Sequence, residues 1–258
     1  MIVKELRTAR WSLLVGLAIL GVITAQLAAT DLHTVDLQAI TDQTDAALTV
    51  VTSGRLSVGA AFLWAGYFST TLYFLVGLGG AVFGAGLVAS ETSSGTALLV
   101  LSRPMSRERV LLTKYGVAAL SLLLLSGLCG GLALLFGAQG GVRQPPLGGV
   151  LLSVVLLWLG ELFVMGVTLV YSVLVPSAVA AGILGFFTAY ALAIVPLFHN
   201  ASTNHYYLGG PDWSVATYWS SLDIYAGGGD PVKALVAGLG TALFPLAVAV
   251  LLFRRKAF

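Results

Sequence analysis

Charge is what this sequence has least of. Lysine, arginine, aspartate and glutamate make up 9% of the 258 residues, 13 bases and 11 acids, where a soluble domain carries about a quarter. So little charge excludes an ordinary water-facing enzyme or binding domain, and the mean hydropathy of +0.95 places the chain in lipid. The net charge of +2 gives no footing for a nucleic-acid partner. One cysteine, Cys129, stands inside an apolar run, which rules out an internal disulfide and reads as a small core residue. None of the four lysines follows a glycine, so the phosphate-binding loop G-x-x-x-x-G-K-[ST] is missing and ATP cannot be hydrolysed by that route. No serine stands in a G-x-S-x-G elbow. The three histidines, His33, His199 and His205, lack the spacing of metal ligands and are read as solvent-exposed, with no metal expected.

What is present is a series of apolar runs. Crossing the hydrocarbon takes about 20 apolar residues in a helix, and six stretches meet that length, at approximately 11–29, 60–88, 115–136, 148–172, 178–197 and 233–253. The fourth and fifth are separated by no charge, and the bend between them is placed at Val173 to Ser177, where Pro176 ends a helix. The expected fold is an all-α integral membrane protein, one domain over residues 1–258, with little room for a soluble domain. Ahead of the first run, Ile2, Leu6 and Ala9 recur at helical spacing while Lys4, Arg7 and Arg10 point elsewhere, the pattern of a short amphipathic helix lying among headgroups. Before the last run, Phe198 to Pro231 is rich in tyrosine and tryptophan, which settle at the bilayer interface, so short helices on the outer leaflet are expected.

Sorting charges by side sets the orientation. With an even number of spans, ten bases and three acids lie on the side of the termini, against three bases and seven aspartates on the other. A basic excess marks the cytoplasm, so both termini and the segment Glu91 to Tyr115 are cytoplasmic, as in a multi-pass protein of the plasma membrane.

That segment, ETSSGTALLVLSRPMSRERVLLTKY, is the long polar interruption of the chain's first half. Ser93 or Ser94 is expected to cap a short helix over Thr96 to Leu101, which Arg103 and Pro104 break. Ser106 is a second N-cap, with Met105 and Val110 at the spacing of a hydrophobic staple and Glu108 in the first turn, where the helix dipole favours an acid.

The run GTALLVLSRPMSRERVLLTKYG, preceded by Glu91, resembles the membrane-spanning permease subunits of the type 2 ATP-binding-cassette exporters. The matching residues are Glu91, Gly95, Thr96, Leu99, Leu101, Ser102, Pro104, Ser106, Arg107, Leu111, Leu112, Lys114 and Gly116. The resemblance implies that Glu91 to Ser102 is a coupling helix docking on a separate ATPase, with Arg103 and the residues to Lys114 completing the contact, and that Met1 to Arg10 is an elbow helix. It implies two copies of the ATPase, a homodimer of this chain in the bilayer, and a non-catalytic transport subunit. ATP and magnesium would then be bound by the partner, and no cofactor by this chain.

Glu161 falls near the middle of the fourth run without a base at similar depth. An acid inside the membrane suggests function by default, though a protonated carboxyl hydrogen-bonded to a neighbouring helix is the plainer reading. It supports an alternative, an ATPase-independent secondary transporter using Glu161; a non-transporting membrane anchor or maturation factor is a third. Gly80 with Gly84, and Gly127 with Gly131, form small-xxx-small pairs, which suit close helix packing.

Overall fold

The computed structural model describes residues 50–64, 73–93, 106–139, 145–198 and 222–255. The apolar runs in these stretches form helices, and among the described residues there is no strand. In chain order they are α1 (Val58–Leu63), α2 (Tyr73–Gly86), α3 (Ala89–Ser93), α4 (Arg107–Gln139), α5 (Leu147–Leu174), α6 (Ala178–Phe198), α7 (Leu222–Tyr225) and α8 (Pro231–Arg255). A backbone in lipid must satisfy its own polar groups, and a helix does so within one segment.

Among the described residues three helices, within α4, α5 and α8, are long and apolar enough to cross a membrane. Leu120, Leu124, Leu128 and Leu135 of α4, Ile183 and Phe187 of α6, and Leu243 and Phe244 of α8 are about half exposed or more. Water would not tolerate so wide an apolar surface, and the chain is accordingly an all-α membrane protein.

The bundle is built around α5, which touches α2, α4, α6, α7 and α8. Of its apolar stretch 78% is buried, against 44% for α4 and 22% for α8, so the other helices stand between α5 and lipid. Close approach is achieved by glycine. A Cβ at Gly80 would lie 2.7 Å from the Glu161 carbonyl oxygen, and one at Gly84 would lie 2.6 Å from that of Met165; real Cβ atoms do not come so near, and only glycine lets the α2 backbone rest on α5. On the opposite side the ring of Pro245, inside α8, fits against Gly166.

Local signals placed several element ends correctly. α5 stops at Leu174 and α6 starts at Ala178, with Pro176 between them and the Ser177 hydroxyl accepting from the Ala180 amide at 3.3 Å. Two expectations are corrected. The second apolar run does not stay helical to its end: α2 stops at Gly86, and after a turn at Leu87 and Val88 the short α3 begins. The third apolar helix starts eight residues before the expected boundary, because the helix capped at Ser106 and the membrane-crossing stretch are one continuous α4.

Candidate functional site

The expected site was the polar segment from Glu91 to Lys114, and the structure describes its two stems. α3 enters it and the first turns of α4 leave it. Gly95, Thr96, Leu99, Ser102, Arg103 and Pro104 lie outside the described residues, as do Lys4, Arg7 and Arg10 and all three histidines.

The stem leading out is set by Ser106, whose hydroxyl accepts from the Arg109 amide at 3.3 Å, the N-cap bond that supplies one of the otherwise unmatched first-turn amides. Ser106, Arg107 and Arg109 are exposed. Apolar positions anchor the helix, since Val110 and Leu111 are buried. Ser93 is the last residue of α3, its hydroxyl donating to the Ser90 carbonyl at 3.1 Å, while Ser94 and the helix expected over Thr96 to Leu101 lie outside the described residues.

The two stems are joined by charge. Lys114 of α4 is 5% exposed and forms an ion pair with Glu91 of α3, while its ammonium also donates to the Leu87 carbonyl at 3.3 Å. A buried lysine needs such partners, because an unpaired buried ammonium carries a large desolvation cost. The segment therefore leaves and re-enters the bundle from two helix ends held side by side. Beside them, Arg254 at the end of α8 grips Glu108 at two points, Nε to Oε1 at 2.6 Å and Nη2 to Oε2 at 2.7 Å. The basic end of α8 and the polar segment thus lie at the same end of the bundle.

At the opposite end, Arg55 pairs with Asp223 at 2.8 Å and donates to its carbonyl at 3.3 Å, tying the turn before α1 to α7. Next to it Tyr225 is buried, and that burial pushes its phenol above the ordinary value of 10.0. Among the described residues these ion pairs thus lie at two ends, and the interior between them carries one acid, Glu161.

Glu161 is 1% exposed. Its Oε1 accepts from the Ser126 hydroxyl of α4 at 2.5 Å, and that hydroxyl also lies 2.9 Å from the Leu122 carbonyl. Oε2 has no hydrogen-bond partner among the described residues. The plainer reading of this acid, a carboxyl hydrogen-bonded to a neighbouring helix, agrees with the Ser126 bond; which residue is the partner, a neutral hydroxyl 35 positions earlier, no charge pattern reveals. Among the described residues no group of three or more His, Cys, Asp or Glu side chains could hold a metal ion.

Ser172 was not foreseen at all. It is fully buried near the end of α5, where its hydroxyl donates to the Ala85 carbonyl at 2.9 Å and accepts from the amides of Ala89 at 2.8 Å and Val88 at 3.2 Å. The apolar run holds two serines, Ser153 and Ser172, and nothing in it separates Ser172 from an ordinary helix serine.

Fold and site together define an all-α membrane protein with a polar segment held between two clamped helix ends and one buried acid at its centre. The chain belongs to the family described as a protein of unknown function, DUF2705, whose model matches residues 44–217. That interval takes in α1 to α6 and the whole polar segment. No curated protein matches the chain, and no solved structure does.

Proposed function

We propose that the chain is the membrane subunit of an ATP-driven exporter, coupled through the segment after Glu91 to an ATPase on a separate chain. The observation that carries the reading is the clamp between Lys114 and Glu91. A linker that only preserved topology would have no need of a buried lysine tying its two ends together, whereas a segment that transmits force must have stiff roots. The family-like pattern from Glu91 to Gly116 and the missing phosphate loop point the same way: hydrolysis falls to a partner, which brings ATP and magnesium. In this reading the chain has six spans, two copies form the translocation path, and each binds one ATPase. Both termini are cytoplasmic and the membrane is the plasma membrane. Ten bases on the side of the polar segment support that orientation, as does the pairing of Arg254 with Glu108 at the same end.

The transporter driven through Glu161 has one observation in its favour, the unpartnered Oε2. Packing argues against it. The Gly80 backbone rests on the Glu161 carbonyl, and the residue stands among buried leucines and methionine of α4 and α5.

The test is co-purification with candidate ABC ATPases from the same cell, followed by ATP hydrolysis by the pair in lipid nanodiscs. Binding and stimulated hydrolysis are expected, and Gly95→Pro should abolish the stimulation while the permease remains folded. Failure of any ATPase to bind with ATP, ADP or no nucleotide overturns the proposal, and transport without an ATPase that is lost in Glu161→Gln would favour the alternative.

A further inference from the structure

A helix that breaks leaves amides and carbonyls without their intrahelical partners, and in the membrane interior each must be matched by something else. Between α2 and α3 the accounting is unusual in where the partners come from. Leu87 amide bonds back to the Gly84 carbonyl at 3.4 Å, and the Ser90 hydroxyl takes the Gly86 carbonyl. The Val88 carbonyl is taken within α3, by the Glu91 and Thr92 amides, both at 3.1 Å, and four further groups are matched from other helices. Ser172 of α5 holds the Ala85 carbonyl and the amides of Val88 and Ala89, and Lys114 of α4 holds the Leu87 carbonyl. Val88 and Ala89 are buried, and so are Ser172 and Lys114. Gly86, directly before the turn, has open space where a Cβ would stand.

We propose that the turn at Leu87 and Val88 is a latched hinge: Ser172 and Lys114 hold α3 against the ends of α5 and α4, and loss of their bonds lets α3 pivot as a unit relative to α2. Proline or a local hydroxyl can kink a helix from within, and Ser90 supplies one such local bond, but the buried groups at Ala85, Leu87, Val88 and Ala89 are held from outside the helix. Here the bonds that keep the break open come from two separate helices, so movement of either helix loosens the break and movement of α3 pulls on both. Ser172 and Lys114 are positioning residues in this device; neither is assigned any contact with a transported molecule. The hinge does not depend on what docks beyond α3, and it holds for a membrane anchor as well as for an exporter subunit.

The test is amide hydrogen exchange on the full chain in nanodiscs, without nucleotide or partner, resolved at residues 85–93. Losing one buried hydrogen bond of ordinary strength changes a local opening equilibrium about tenfold. Ser172→Ala is therefore expected to speed exchange at Val88 and Ala89 by about tenfold or more, while α5 and the α2 stretch up to Gly84 stay within twofold of the parent. Spin labels at Ser93 and Arg109, both exposed, should give one distance in the parent and a second, longer population in the variant. Unchanged exchange at the two amides, or equal acceleration throughout α2 and α5, overturns the hinge. Should Ser172→Ala fail to fold, Lys114→Met is read by the same label pair, where a single unchanged distance overturns the proposal and Lys114→Arg is expected to restore the parent distribution. A failed ATPase assay with selective exchange at the hinge would sink the exporter reading alone.

Discussion

Two glycine pairs with identical spacing meet opposite surroundings. Gly80 and Gly84 of α2 are pressed against the carbonyls of Glu161 and Met165, whereas a Cβ added at Gly127 or Gly131 of α4 would meet nothing within 4 Å. The second pair lies on a face with Leu124, Leu128 and Leu135, all more than half exposed, along a groove of about 920 Å³. One pair is therefore part of the interior and the other faces outward. The difference is that α5 is buried over most of its apolar stretch: its neighbours must come close to it, and glycine is how α2 does so. α4 turns one face inward with Ser126 and Leu122 and leaves the other to lipid.

The strongest way to break this comparison is to fill the inner pair. Gly84→Val would drive methyl groups into the Met165 carbonyl and Thr168, against backbone that cannot yield. Overpacking of this kind costs about 3 kcal/mol, and more where backbone is the obstacle. Loss of the folded protein, or a fall of several degrees in Tm in detergent, is expected. An unaltered Tm would mean that α2 does not rest on α5.

Next comes the buried acid. Ser126→Ala leaves both Glu161 oxygens without a protein partner, a loss of about 1–3 kcal/mol, whereas Glu161→Gln keeps an acceptor for the serine and should cost less than about 1 kcal/mol. Chemical denaturation of the two variants in the same detergent separates them. Equal stability of Ser126→Ala and the parent would show water reaching the carboxylate, and the interior around α5 would be less closed than its packing implies.

How much of this was legible in the sequence depends on how far away the cause lies. Ser106 as an N-cap, Pro176 between two helices and the apolar runs are written within a few residues of where they act, and a reader with no structure finds them. The break after Leu87 is held by Ser172, 84 positions from Val88 and 83 from Ala89, and nothing near Leu87 announces it. For Glu161 a hydrogen bond to a neighbouring helix was legible, but not that Ser126 makes it, because a neutral hydroxyl on another helix leaves no charge pattern. The pairing of Glu91 with Lys114 was also unreadable, since both residues were already accounted for as members of one polar segment and only the folded bundle brings its ends together. The two glycine pairs are the clearest case, because G-x-x-x-G states that close packing is available and leaves open whether anything uses it.

The N-terminal end of α5 provides a smaller effect that tests the same contrast by pH. Tyr225 is buried where α7 meets α5, with its phenol held above 10.0. Above pH 10 the unfolded chain loses this proton while the folded one keeps it. Stability must then fall as pH rises, by at most about 1.4 kcal/mol per pH unit. In Tyr225→Phe that share disappears, so Tm measured between pH 9 and 11 should decline less steeply than in the parent. Parallel curves would mean that the phenol is solvated and that this end of α5 is open.

The outer glycine pair carries the smallest expected effect and the sharpest reading. Gly127→Ala and Gly131→Ala place a methyl group in open space, so no clash opposes the gain in helix preference, which is about 0.5–1 kcal/mol for each replacement in a helix interior. Both variants are expected to match the parent or exceed it slightly in thermal stability, at protein concentrations low enough to keep one chain per micelle. The same substitutions measured at high concentration then separate two surroundings for this face. Lipid or detergent accommodates a methyl group at no cost, because fluid chains move aside, and the stability gain persists unchanged. A second helix seated in the groove would not accommodate it, and the variants would lose stability only as the protein is concentrated. A gain that is independent of concentration leaves the two pairs as different as their neighbours make them; a concentration-dependent loss would make Gly127 and Gly131 an interior of another kind, completed between two chains.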